Sequence, residues 1–147
     1  MMRQGRGHVI NVSSIYGNAP TAGGGVYGAT KAAVRFLSES LRIESAGKIK
    51  VTTIRPTGVP ETNLGTGIVN PEAISGILGA NTASYMSKFE AAAANQLPEE
   101  MTDIERIEYF ALDASSLAEQ IVYAINQPWG VSISDITVRA AGDGYVV

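Results

Sequence analysis

The sequence predicts an α/β fold with about three parallel strands and flanking helices. Short runs rich in β-branched residues occur at 8–12, 49–54 and 133–139, and each has the length of a strand. Between the first two runs, residues 26–46 carry apolar side chains at spacings of three and four, which indicates a helix. Strand, helix and strand in this order form a βαβ unit with parallel strands and a right-handed crossover.

The first βαβ unit has recognisable boundaries. The strand 8–12 ends at Ser13 and Ser14, and the loop that follows is rich in Gly, Pro, Asn and Thr. The predicted helix has one apolar stripe, formed by Ala29, Ala33, Phe36, Leu37 and Leu41. Gly47 is placed to end this helix, and Arg55-Pro56 is placed to end the second strand.

The second half of the chain is predicted to be mostly helical. Residues 56–82 are expected to form a loop with at most short helical pieces, because they contain repeated prolines and glycines. Helices are expected at 84–97, where Pro98 ends the pattern, and at 102–112. A third helix begins at a cap, Asp113 or Ser116, and the sequence closes with the strand 133–139 and a loop or tail. With no linker dividing it, the chain is expected to be a single domain, 1–147.

The composition excludes several classes of function. The chain has 147 residues, a net charge of −3 and no cysteine, so disulfides and zinc–thiolate sites are absent from it. The sequence shows no basic face of the kind that predicts nucleic-acid binding. It also has no apolar run long enough to span a membrane. We therefore expect a cytoplasmic protein without a metal site, since His8 has no second His or Cys to join it.

The stretch GGGVYGATK, residues 23–31, allows two interpretations. Gly23, Gly25 and Gly28 match the G-x-G-x-x-G spacing of a dinucleotide phosphate loop. Such a loop follows its strand directly, whereas here the strand ends near Ser14, nine residues before Gly23. The alternative is that these glycines let a loop turn tightly before a helix.

The second interpretation concerns Tyr27 and Lys31, which lie one helical turn apart on the same face. A neighbouring ammonium favours a phenolate, so such a tyrosine can exchange a proton with a substrate oxygen. Ser14, at the carboxyl end of a strand, could hold that oxygen as a fixed donor. From spacing alone, the alternative of a surface tyrosine and a solvated lysine is favoured.

The surrounding sequence resembles the short-chain dehydrogenase/reductase family. The resemblance rests on GHVINVSSIYG, on VYGATKAAVRFLSESLRIE with Glu44 late in the helix, on VTTIRPTGVPET, and on AEQIVYAINQP and ISDITVRA near the end. It implies that Ser14 polarises the substrate oxygen, that Tyr27 is the general acid/base, and that Lys31 assists Tyr27 and holds the nicotinamide ribose. It also implies cofactor contacts around Pro56, Val59 and Thr62, and hydride transfer between NAD(P)H and a carbonyl compound or alcohol.

The resemblance carries further expectations about cofactor, substrate and partners. The ending AINQPWGVSISDITVRA looks most like NADP-dependent members, so NADP is preferred over NAD. Residues 63–112 correspond to a substrate lid. Its apolar residues are Tyr85, Met86, Phe89, Leu97 and Met101. They either favour an apolar carbonyl substrate or simply pack the helices. Members of the family pack the helix equivalent to 26–46 against a second subunit, which predicts a homo-oligomer.

Two departures from the family pattern qualify the functional prediction. Thr57-Gly58 stands where the family has a glycine directly after Pro56. The family's glycine-rich pyrophosphate loop has no counterpart in this sequence, which predicts the C-terminal part of a doubly wound, Rossmann-type parallel sheet. Two functions follow: an oxidoreductase whose isolated chain is inactive, or a truncated, non-catalytic relative that serves as an interaction module without cofactor binding.

Overall fold

The structure is a computed structural model that describes residues 1–60, 62–70 and 72–147. Its three strands are β1 (His8–Val12), β2 (Lys50–Pro56) and β3 (Asp135–Val138). They form one sheet in the order β1-β2-β3, and both neighbouring pairs are parallel. The predicted α/β class with a three-strand parallel sheet is confirmed.

β2 is the central strand and the best-buried one. Residues 50–54 are all buried, and Ile54 is completely inaccessible. In the register, Val51 lies beside Val9 of β1 and Ile54 lies beside Ile136 of β3. A central strand of a parallel sheet is covered on both faces, which explains the nearly continuous burial.

The second strand runs two residues beyond the predicted range 49–54 and ends at Pro56 itself. Arg55 and Pro56 continue β2 and pair with Thr137 and Val138. Proline has no N–H to give to the ladder, but it is the last residue of the strand, where this loss is tolerated. The next N–H, that of Thr57, donates to the carbonyl of Val138 at 3.1 Å.

The first long helix, α1 (Gly25–Glu44), presents a polar side to the sheet. Asn11 Nδ2 of β1 donates to the Ser38 hydroxyl at 2.8 Å, and Ser38 is 1% exposed. Most of the predicted apolar stripe is exposed, with Phe36 75% and Leu37 66% exposed, whereas Leu41 is half-buried. Beyond the helix, positive φ values occur at Ala46 and Gly47, so the turn begins one residue before the predicted glycine.

The other helices are α2 (Glu72–Leu78), α3 (Thr82–Ala93), α4 (Glu99–Thr102) and α5 (Ala114–Ile125). α2 is the short helical piece expected within 56–82. α3 ends before the predicted Pro98, because Asn95 takes a left-handed conformation with φ 56°. The prediction of a helix over 102–112 is wrong, since only Thr102 is helical there. Asp113, not Ser116, caps α5 and accepts the Ser116 N–H at 2.7 Å.

A cluster of buried side chains packs α2 and α3 against the segments around them. Its members are Ile15, Ile77, Leu78, Tyr85 and Phe110. The final residues join this packing, because the Val146 N–H donates to the Ile77 carbonyl at 3.0 Å. The described helices include none that is both long and apolar enough to cross a bilayer.

Candidate active site

Ser14 is the first residue beyond the paired part of β1. The Ser13 N–H still donates to the Ile54 carbonyl at 2.8 Å, which extends the pairing of β1 with β2 by one residue. Ser14 is extended and 7% exposed, and its Oγ accepts the Tyr16 N–H at 3.2 Å. Since Oγ only accepts in this contact, its own hydrogen can still be donated to another oxygen.

Lys31 connects α1 to the same end of β1. Its Nζ donates to the Val12 carbonyl at 3.3 Å and lies 5.6 Å from the centre of the Tyr27 ring. The Ser13 hydroxyl donates to the Lys31 carbonyl at 2.8 Å, which fixes the backbone of α1 against the strand end. Lys31 and Tyr27 therefore lie together, half-buried, at the carboxyl end of β1, where parallel sheets carry functional groups.

Tyr16 is a residue that sequence reasoning missed, and it links Ser14 to Tyr27. Its N–H contacts Ser14, and its ring meets the Tyr27 ring edge-on at 5.3 Å between centroids. Its hydroxyl donates to the Ala73 carbonyl of α2 at 2.8 Å. Burial, followed by the proximity of Tyr27, raises the pKa of Tyr16, so Tyr16 remains a neutral donor. The only sequence signal that could have indicated Tyr16 was its position two residues after Ser14.

The glycines around Tyr27 serve close packing and a turn. A Cβ on Gly28 would lie 3.0 Å from the Tyr16 carbonyl oxygen, and one on Gly17 would lie 2.9 Å from the Lys31 backbone. Gly23 has a φ of 72°, which an L side chain rarely adopts. These contacts favour the tight-turn interpretation over a phosphate loop.

The residues predicted to contact a cofactor follow β2. Pro56 lies within the strand, while Val59 and Thr62 form a turn in which the Val59 carbonyl accepts the Thr62 N–H at 3.2 Å and its hydroxyl at 2.8 Å. Glu61, which lies between them, is outside the described residues. Ser14 and Thr57 follow the carboxyl ends of β1 and β2, which are parallel neighbours. The turn therefore begins at the same edge of the sheet as Ser14.

Two polar groups here suit the nicotinamide ribose part of a dinucleotide. The Thr57 hydroxyl is buried and has no hydrogen-bond partner among the described residues. The Lys31 ammonium has three N–H groups, and the described contacts use one of them, for Val12. A pyrophosphate, by contrast, needs backbone N–H groups in a glycine loop directly after a strand. Because β1 ends at Val12 and a 3₁₀ turn at Ile15–Gly17 separates it from the glycines 23–28, the residues present fit only the nicotinamide end of the cofactor.

The predicted lid, residues 63–112, includes α2, α3 and α4, and the structure describes all of it except Pro71. Tyr85 is 5% exposed and packs against Phe89 and Phe110, with ring centroids 5.7 and 5.8 Å away. Met86 and Phe89 are 41% and 39% exposed. The packing of Tyr85 supports the alternative that these apolar residues hold the helices together.

Known proteins are similar to the part of the chain that carries these residues. The family model described as "short chain dehydrogenase" matches residues 1–73, which include Ser14, Tyr27 and Lys31. An oxidoreductase of Staphylococcus epidermidis, described as uncharacterized, is 30% identical over 139 residues. The match covers 95% of this chain and 45% of that relative, so the chain spans less than half of its length.

Solved structures share the fold. The closed form of serine dehydrogenase complexed with NADP⁺ has a TM-score of 0.61 at 28% identity, covering 94% of this chain and 46% of that one. An alcohol dehydrogenase from the archaeon Thermococcus sibiricus, complexed with 5-hydroxy-NADP, has a TM-score of 0.62 at 19% identity. That match covers 96% of this chain and 44% of the archaeal chain, and at this identity it shows the fold alone.

Proposed function

Because a short-chain dehydrogenase model matches residues 1–73, we propose that this chain belongs to the short-chain dehydrogenase/reductase family and carries the proton-transfer half of an NAD(P)-dependent oxidoreductase. The observation that carries the proposal is the position of Lys31 Nζ, which contacts the Val12 carbonyl and lies over the Tyr27 ring at the end of β1. The reaction is reduction of a carbonyl compound, or oxidation of an alcohol in reverse.

Each residue has a separate part in this reaction. The Ser14 hydroxyl donates to the substrate oxygen and stabilises the negative charge that grows on it. Tyr27 gives its phenolic proton to that oxygen, and the Lys31 ammonium stabilises the phenolate left behind. NAD(P)H, when bound, supplies the hydride to the carbonyl carbon. Lys31, with the Thr57 hydroxyl and the turn at Pro56, Val59 and Thr62, would hold the nicotinamide riboside end.

The pyrophosphate contacts belong, in this proposal, to a glycine-rich segment outside the 147 residues. Support comes from the separation of the glycines 23–28 from the end of β1 at Val12 and from the 45% coverage of the staphylococcal relative. The assignment of the chain to the C-terminal part of a doubly wound sheet stays a prediction. NADP is preferred over NAD, in line with the NADP⁺ bound by the similar serine dehydrogenase.

The test is a fusion of this chain to the unmatched part of the Staphylococcus epidermidis relative. Loss of NADPH absorbance is followed with a panel of ketones and aldehydes. We expect turnover by the fusion, little by the isolated chain, and a loss of at least about tenfold in Lys31→Met. Lys48→Met, an exposed lysine beyond α1, is the matched control. Equal turnover by Lys31→Met and Lys48→Met would contradict the role of Lys31.

A second candidate function, a non-catalytic interaction module, is favoured by the surface of α1. Its outward side carries Phe36 and Ile43, which are 75% and 67% exposed and seven residues apart. Exposed apolar rows of this kind mark protein–protein contacts, so self-association through helix 26–46 is proposed under either function. Calorimetric titration of the fusion and of its Lys31→Met variant with NADP⁺ and NAD⁺ separates the two: weaker binding by Lys31→Met supports the enzyme, and equal binding supports the module.

A further inference from the structure

The last eight residues, 140–147, form a strap that is held by the side chain just before it. The Arg139 Nη2 donates to Asp143 Oδ1 at 2.7 Å and to the Tyr145 carbonyl at 2.8 Å. Its Nη1 donates to the Val147 carbonyl at 2.9 Å. One guanidinium therefore fixes alternate residues of the strap.

The strap also binds the helices of the predicted lid. The Val146 N–H donates to the Ile77 carbonyl of α2 at 3.0 Å, and Asn81 Nδ2 donates to the Gly144 carbonyl at 3.0 Å. The Tyr145 and Tyr85 hydroxyls are hydrogen-bonded at 3.0 Å, and their rings pack with centroids 5.3 Å apart. The strap therefore joins the end of β3 to α2 and α3.

The paired hydroxyls lie against Gly58, which comes one residue later than the glycine of the family pattern. A Cβ built on Gly58 would collide with the Tyr145 hydroxyl and would lie 3.2 Å from the Tyr85 hydroxyl. Gly58 is not among the glycines with positive φ, so its backbone does not require a glycine. The contact with Tyr145 is what excludes a side chain at this position.

We propose that Tyr145 is a positioning residue, which acts with Tyr85 to fix the backbone of residues 57–59 from the strap. The proposal rests on the proposed function, since these residues lead into the turn that would hold the nicotinamide end of the cofactor. Burial, followed by the proximity of Tyr85, raises the pKa of Tyr145, so its hydroxyl stays protonated and the pair persists at neutral pH.

The test introduces Gly58→Ala into three backgrounds: the unsubstituted chain, Tyr145→Phe and Tyr123→Phe. Tyr123 lies on the exposed side of α5, so Tyr123→Phe is the matched control. Urea midpoints and hydrogen exchange of the Thr57 amide, which bonds to Val138, are measured in each. We expect Gly58→Ala to lower the midpoint in the unsubstituted and Tyr123→Phe backgrounds, and to lower it much less in Tyr145→Phe, which lacks the colliding hydroxyl. Tyr145→Phe alone should speed exchange of the Thr57 amide by about fivefold.

An equal cost of Gly58→Ala in all three backgrounds, or unchanged Thr57 exchange in Tyr145→Phe, would overturn the proposal. None of these measurements needs a cofactor, so they can succeed even where the fusion shows no turnover. In an active fusion, Tyr145→Phe should raise the KM for NADPH more than it lowers kcat, whereas Tyr123→Phe should change neither.

Discussion

The β1-α1-β2 unit and the region of the lid and strap are held together by different kinds of contact. In the first, neighbouring strands and the helix between them are joined by a regular ladder and by short polar contacts such as Asn11 to Ser38. In the second, helices α2 and α3 depend on side chains far away in sequence, such as Tyr145 with Tyr85. The proposed proton-transfer residues therefore lie on the β1-α1-β2 unit, which is the regular part of the molecule. The lid helices around them depend on residues of the strap.

The greatest loss of stability is expected at the centre of the regular part. Ile54→Ala removes a completely buried side chain from β2 and should lower the free energy of unfolding by about 4 kcal/mol. Val69→Ala, at a residue that is 98% exposed, is the control and should change it by less than about 0.5 kcal/mol. Urea unfolding measures both, and similar values for the two would contradict the placement of the core.

A lesser loss is expected where the strap is loosened. Arg139→Ala leaves the Asp143 carboxylate, whose side chain is 3% exposed, without its guanidinium partner. We expect a loss of about 2 kcal/mol and faster hydrogen exchange at Val146. Arg42→Ala breaks an exposed pair with Glu39 and should leave the urea midpoint nearly unchanged. Unchanged Val146 exchange in Arg139→Ala would mean that Arg139 does not hold the strap.

The cap of α5 contributes less again. Asp113 accepts the Ser116 N–H at 2.7 Å and the Ser115 hydroxyl at 2.6 Å. These bonds, the Ser115 contact first, hold the pKa of Asp113 well below its ordinary value. Asp113→Ala should destabilise the chain by about 1 kcal/mol, and Asp113→Asn, which keeps the capping acceptor, should cost less. Thermal unfolding of the two variants checks this order.

The weakest effect is a pH dependence at β1. Thr52 Oγ1 donates to the Ile133 carbonyl at 2.6 Å, so His8 Nε2 must donate to Thr52 at 2.7 Å, and His8 Nδ1 is buried without a partner among the described residues. Burial, followed by the charge of Lys50, lowers the pKa of His8. The unfolded chain then binds more protons below about pH 6.5, so stability falls as the pH drops through that value. Urea midpoints between pH 7.5 and 5 should show a loss under about 1 kcal/mol that shrinks in His8→Gln.

The sequence predicted the regular part well, because its signals are local. The alternating and β-branched runs of β1 and β2, and the three-and-four spacing of α1, are readable within twenty residues. The direction of the α1 stripe was left open, because apolar spacing does not distinguish a side that packs on the sheet from a surface for another partner. Only the structure shows that Phe36 and Leu37 are exposed.

The lid and strap were predicted less well, because their contacts link residues far apart in the sequence. The pairing of Tyr85 with Tyr145 spans sixty positions, and the need for a glycine at 58 follows only from that pair. Tyr16 was missed for the same reason, since its hydroxyl bonds to Ala73 of α2. The structure places Ser14, Tyr27 and Lys31 at one strand end, and their catalytic roles stay predictions.

The role of Tyr27 as the proton donor is tested by a single substitution. In the active fusion, Tyr27→Phe keeps the ring that packs against Tyr16 but removes the phenolic proton. We predict a fall in kcat/KM of about 10² to 10⁴ for carbonyl reduction with NADPH. Tyr123→Phe, on the exposed side of α5, should leave kcat/KM unchanged. A Tyr27→Phe fusion as fast as the Tyr123→Phe fusion would contradict the assignment of Tyr27.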